Sequence, residues 1–196
     1  DYAVYACNQR MNIAKAIFGN DCLLGSSGSL VEAAYEVAEH FMDGVTVHYA
    51  GSSNPDVPSN GRIVASYDIQ ASWNKPVENP NRYGVVCATY IGLSLWKAGL
   101  VDEETINQYN YNSCADLERM LTTSSYASQW QKITNPSELQ EGDIVFISGH
   151  VYIYMNGGKC LDQNYCVITS RGEDYRGKLL SAKTSTFRAA YRYTGG

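Results

Sequence analysis

Basic residues are scarce. Fifteen Lys and Arg against 20 Asp and Glu leave a net charge of −5, so no basic field spreads over the chain to hold a nucleic acid. Uninterrupted apolar runs are short, well under the roughly 20 residues that a membrane-spanning helix requires, and no span is expected. Histidine occurs only three times. The six cysteines, at 7, 22, 87, 114, 160 and 166, include no tight Cys-x-x-Cys pair, so neither a metal site nor an organic cofactor is indicated. Charged residues are also few, at 18%, while 44% of the chain is hydrophobic; disorder is excluded and a core is within reach.

At 196 residues the chain suits a single domain with an N-terminal elaboration. It opens at Asp1 without a signal-peptide pattern, which reads as a processed or excised piece. Sixteen Tyr with few charges fit a secreted protein that handles polymers. Residues 1–28 form an extension with a short helix over roughly 8–18 and a Gly/Ser-rich connection. From residue 29 the domain proper begins. Ser29 and Glu32 carry a capping-box signature, and Leu30, Ala33, Ala34, Val37, Ala38 and Phe41 recur at helical spacing to about Met42. His40, in the last turn, reads as structural. Residues 43–82 form an irregular insertion rich in Gly, Pro, Asn and Ser, with a short strand predicted over 62–67. Loops of this length commonly shape a binding site or are mobile. Tyr49, Trp73 and Tyr83 either wall a cleft or pin the loop to the core.

The stretch from Gly84 to Leu100 organises the rest. Cys87 stands where an apolar run meets an apolar helix that is predicted to end at Gly99. Such a helix is buried on most sides, and a cysteine in its first turn sits at the positive end of the helix dipole, which favours thiolate. Alone, that cysteine is more commonly a small buried hydrophobe. Ser113 and Asp116 open a second capped helix to about Leu121. After a connector over 130–141, strands are predicted at 143–148, 150–155, 159–164, 166–169 and 186–193. Helices first and antiparallel strands afterwards is an α+β pattern. Setting Cys87 aside leaves an odd number of cysteines, so at least one other is free or bridged to another molecule; Cys7 with Cys22 and Cys160 with Cys166 are the candidate bridges. The C-terminal run of Arg171, Arg176, Lys178, Lys183, Arg188 and Arg192 reads as a solvated face ahead of a contact surface for anionic polymers.

A cysteine nucleophile needs a base, and the base needs an orienting group. His150 heads the strand Val-Tyr-Ile-Tyr-Met. If Asn156-Gly157-Gly158 closes the next hairpin as a three-residue loop, Met155 pairs with Lys159 and Tyr152 with Asp162, placing Asp162 diagonal to His150 on one face. A two-residue turn would bring Gln163 there instead. A carboxylate orients an imidazole and stabilises its charged form, which favours the first register.

Two blocks carry a resemblance. Cys87-Ala-Thr-Tyr-Ile-Gly-Leu-Ser-Leu-Trp-Lys-Ala-Gly-Leu100 resembles the nucleophile helix of NlpC-type papain-like cell-wall cysteine peptidases. The stretch Leu139-Gln-Glu-Gly-Asp-Ile-Val-Phe-Ile-Ser-Gly-His-Val-Tyr-Ile-Tyr-Met-Asn-Gly-Gly-Lys is similar to that family's Gly-Asp strand and its His-Val-x-Ile-Tyr strand. The usual Asp-Cys-Ser-Gly is replaced here by Val86-Cys87-Ala88-Thr89. The third residue, twelve after the His, lands on Asp162, where His, Asn or Gln is more usual. The related CHAP amidases share the Cys–His order.

The resemblance implies a papain-like α+β fold, with N-terminal helices and the Cys87 helix packed on a C-terminal antiparallel sheet. It implies catalysis by Cys87, His150 and Asp162 without a cofactor, and a substrate-facing Tyr that is Tyr49 or Tyr83; Trp73, from the same loop aromatics, is the further candidate on the substrate side. The implied activity is that of a secreted or wall-associated peptidoglycan hydrolase, a monomer cutting an amide bond of stem peptide or cross-bridge. Acyl transfer on the same fold and a non-catalytic wall-binding module are the alternatives.

Overall fold

The periodic apolar stripe behind Ser29 becomes helix α1 (Ser27–Met42), in which Leu30, Ala34, Val37, Ala38 and Phe41 are fully buried. It starts two residues ahead of the predicted capping pair. The computed structural model describes residues 27–44, 46–49, 68–78 and 84–195. The helix predicted over 8–18, the strand predicted over 62–67, Cys7, Cys22 and Tyr83 lie outside them.

Among the described residues there are five α-helices and two sheets, a mixed α+β arrangement. Strand β1 (Val47–Tyr49), helix α2 (Ile69–Glu78) and strand β2 (Gly84–Val85) come first. Helix α3 (Cys87–Lys97) is next, and every residue from Cys87 to Leu95 is buried. It packs along α1 on one side and on the sheet on the other, with the Tyr90 hydroxyl donating to the Ala34 carbonyl at 2.6 Å. Burial of large apolar side chains such as Ile91, Leu93 and Leu95 is worth about 1.5–3 kcal/mol each. The helix stops at Gly99 because Ala98-Gly99-Leu100 forms a Schellman cap. Gly99 takes φ +68°, its N–H reaches Trp96 O and the Leu100 N–H reaches Leu95 O, both at 3.0 Å.

Two further helices follow, α4 (Glu103–Gln108), capped by the Asp102 carboxylate, and α5 (Cys114–Thr123), capped by the Ser113 hydroxyl. The C-terminal half supplies β3 (Trp130–Ile133), β4 (Ile144–Ile147), β5 (His150–Met155), β6 (Lys159–Leu161), β7 (Val167–Ile168), β8 (Leu180–Ser181) and β9 (Phe187–Tyr193). Six of these form an antiparallel sheet in the order β3-β9-β4-β5-β6-β8. Strand β7 instead joins a small parallel sheet, β2-β1-β7. No helix among the described residues is long and apolar enough to cross a membrane.

Four expectations change. Part of the insertion is ordered structure: β1 lies in it, and so does α2, whose first turn is capped by Asp68 accepting from Gln70 N at 3.0 Å. The connector after Trp130 contains an edge strand. The strand predicted over 166–169 sits in the parallel sheet, beside β1. Cys160 and Cys166 are both free thiols, directed at the carbonyls of Ser181 and Gln163 rather than at each other.

The C-terminal basic run is not wholly a solvated face either. Arg192 grips the fully buried Asp143 with Nε on Oδ1 and Nη2 on Oδ2, both at 2.8 Å, and its Nη2 also reaches the Glu138 carbonyl. This pair ties β9 to the entrance of β4. Removing the cation strands a buried carboxylate, so Arg192→Ala should cost about 3–5 kcal/mol, read as a drop in the urea midpoint; a loss under about 1 kcal/mol would show that water reaches Asp143.

Candidate active site

The contact of α3 with β5 brings together the starts of two elements, Cys87 at the first residue of α3 and His150 at the first residue of β5. On one side His150 neighbours Cys87, close enough that each bears on the ionisation of the other. On the other, its Nε2 lies 2.8 Å from Oδ2 of Asp162. With Nε2 taken by the carboxylate, Nδ1 is the nitrogen left for the sulfur. An ionised carboxylate only accepts, so the neutral ring must carry its proton on Nε2 and present Nδ1 as a base.

Asp162 reaches this place through the hairpin. Gly157 and Gly158 both take positive φ, +74° and +68°, and the register pairs Met155 with Lys159 and Ile153 with Leu161, as the three-residue loop requires. The ladder stops at Leu161. Asp162 then caps a short 3₁₀ turn, Gln163–Tyr165, instead of pairing with Tyr152. The amide N–H of Asn164 donates to Asp162 Oδ1 at 2.9 Å, and its side-chain amide reaches Oδ2 at 3.3 Å. Asn164 therefore braces the carboxylate. Gln163 turns its amide nitrogen to Asn164 Oδ1 and is buried, so neither residue takes the place of Asp162 on His150.

Burial opposes a charge on His150, but the bonds to Asp162 and to Cys87 outweigh it and raise its pKa to about 9. The sulfur has a second neighbour that the sequence did not bring forward. Cys114, the first residue of α5, places its Sγ 3.6 Å from that of Cys87. The hydrogen bond to Cys114, and then burial, hold the proton on Cys87 and push its thiol up, against the pull of His150. The Cys114 thiol moves the other way. The bond from Cys87 lowers it against burial, helped by its own backbone N–H and by Arg188. Both cysteines are the first residues of their helices. That shared placement, with the odd count left by Cys87, was the signal in the sequence; a separation of 27 positions hid it.

Tyr49 comes to the site through the parallel sheet, opposite Val85 and so two positions before Cys87. Burial, then Cys87, Cys114 and Asp162, raise its phenol to about 12, which places it within their electrostatic reach. Trp73 does not come there. Its ring stacks on His40 with centroids 3.7 Å apart, meets Trp96 edge-on and lies under Lys97, pinning α2 to the C-terminal end of α3. Trp96 is nine residues from Cys87, about 13 Å along the helix axis. Of the three histidines, His40 belongs to that cluster, and His48 points to the opposite face of β1 from Tyr49. Among the described residues no group of three or more His, Cys, Asp and Glu is placed to hold a metal ion.

No family model, curated protein or solved structure matches the chain.

Proposed function

We propose that the chain is a papain-like cysteine peptidase or amidase, similar to the NlpC type, that hydrolyses an amide bond of peptidoglycan stem peptide or cross-bridge outside the cell. One observation carries the reading: His150 has Cys87 and Asp162 as its neighbours, with Nε2 on the carboxylate at 2.8 Å, which leaves Nδ1 for the sulfur. Papain-like topology is part of the same proposal, since a buried helix bearing the nucleophile is packed on an antiparallel sheet bearing the base.

In the reaction, the Cys87 proton passes to Nδ1 of His150 and the thiolate attacks the amide carbonyl carbon. The backbone N–H of Cys87 opens α3, whose N-cap residue Val86 offers no side-chain acceptor, and it is the donor assigned to the developing oxyanion. The imidazolium then gives its proton to the departing amine as the C–N bond breaks. Water, activated by the same imidazole, adds to the thioester and releases the acid and the free thiol. Asp162 holds the ring in the tautomer that accepts from Cys87. Tyr49 flanks the sulfur as a substrate-side residue.

The test is mass spectrometry of fragments released from purified peptidoglycan by the untreated protein and by protein carboxymethylated at Cys87, with the modified residue located by peptide mapping. Untreated protein should release peptides with new amine and carboxylate ends, and the alkylated protein none. Release that survives complete modification of Cys87 would sink the proposal. Products joined by a new amide bond would replace hydrolysis with acyl transfer at the same site.

A further inference from the structure

Among the described residues, four thiols are free, and only one pair of them is close. Cys160 and Cys166 are buried against carbonyl groups, and burial pushes both thiols up, that of Cys160 to about 12. Cys87 and Cys114 differ from them. They start two different helices, and their sulfurs are 3.6 Å apart, against the about 2.05 Å of a disulfide bond, so about 1.5 Å remains to be closed. Cys87 is 4% exposed, whereas Cys114 is only half-buried, so a small molecule meets Cys114 first.

We propose that Cys87 and Cys114 form a reversible disulfide that withdraws the nucleophile, with a low-molecular-weight disulfide as the oxidant. The Cys114 thiolate attacks one sulfur of the oxidant, whose S–S bond breaks and expels a thiolate that takes up a proton. Cys87, its proton moved to His150, then attacks the Cys114 sulfur of the mixed disulfide and expels the second small thiolate, which His150 protonates. Two electrons pass from the two cysteines to the oxidant, and one small disulfide becomes two small thiols. That the bond switches an activity off rests on the function proposed above; that it forms does not.

The experiment equilibrates the full chain with graded ratios of oxidised to reduced glutathione, quenches in acid, alkylates the remaining thiols and maps peptides without reduction. A cross-linked peptide pair joining Cys87 to Cys114, two hydrogens lighter than the reduced pair and abolished by dithiothreitol, is expected. Fragment release from peptidoglycan should fall in proportion to the cross-linked fraction. Cys114→Ser should carry glutathione on Cys87 in place of the cross-link. Separate glutathione adducts on Cys87 and Cys114, or Cys87 joined to another cysteine, would overturn the inference. A cross-link in a chain that cuts no peptidoglycan would leave the disulfide standing and remove the proposed function; cutting without any cross-link would remove the disulfide alone.

Discussion

A Cys87→Ser chain is expected to release wall peptides about five to six orders of magnitude more slowly than wild type. The substitution keeps the shape of the side chain at a position only 4% exposed, so α3 keeps its packing between α1 and β5. What changes is acidity. A hydroxyl holds its proton far more tightly than a thiol, and His150, raised against burial to about 9 by Asp162 and Cys87, can keep the proton beside the thiolate formed in the reaction. A serine oxygen gives it no such partner. One complication is built into the site: Cys114 lies 3.6 Å from the position of the lost sulfur and has the lower thiol of the pair. Any residual rate in Cys87→Ser is therefore to be compared with the Cys87→Ser/Cys114→Ser double variant. Residual activity abolished by the second change would identify Cys114 as a stand-in nucleophile. A single variant within tenfold of wild type, with Cys114 also dispensable, would refute the assignment of Cys87. Circular dichroism and the urea midpoint confirm that the fold is kept.

Where the sequence was legible, its signals were local. The end of α3 was set by Ala98-Gly99-Leu100 because a left-handed residue after the last turn is a property of three or four neighbouring residues. The register that brings Asp162 to His150 was set by Gly157 and Gly158 for the same reason. His150 opens β5 as predicted. What escaped depends on pairing between distant segments or on weak local propensity. Helix α2 contains Pro76 and few apolar residues, so its sequence argued against a helix; its Ile69 N–H is held by Asn107 and its Ser72 hydroxyl by Tyr111, partners more than 30 residues away. Strand β3 shows no alternation, with Trp130 and Ile133 buried and the two residues between them exposed, and it is defined by β9 some 60 residues later. Strand β7 is short and apolar, and nothing in Val167-Ile168 states whether it joins the antiparallel sheet or lies parallel to β1. The approach of Cys114 to Cys87 follows from how α5 meets α3, and no spacing rule contains it.

The requirement for a carboxylate at position 162 leads to the second large effect. Asparagine commonly orients a histidine in papain-like sites, yet here Asp162→Asn should lower kcat by about three to four orders of magnitude. The reason is a count of acceptors. Asp162 uses both oxygens: Oδ1 takes the Asn164 amide N–H, while Oδ2 takes His150 Nε2 and the Asn164 side chain. Asparagine has one carbonyl oxygen and must choose. If that oxygen keeps the 3₁₀ turn, the NH₂ group faces His150, which then accepts at Nε2 and carries its proton on Nδ1. That tautomer directs a donor at Cys87 and cannot take the thiol proton. If the oxygen turns to His150 instead, the NH₂ group meets the Asn164 N–H, two donors face each other and the turn loosens. The same change shifts the pH dependence. In wild type, burial lowers the pKa of His150, but the Asp162 bond and Cys87 bring it to about 9. The imidazolium needed to protonate the leaving amine should therefore persist until the pH rises through that value. Without the carboxylate the depressing effect of burial is less opposed, so the pKa falls and the alkaline limb of kcat/KM must move to lower pH. An Asp162→Asn chain with kcat within tenfold of wild type and an unmoved alkaline limb would show that Asp162 only braces the turn.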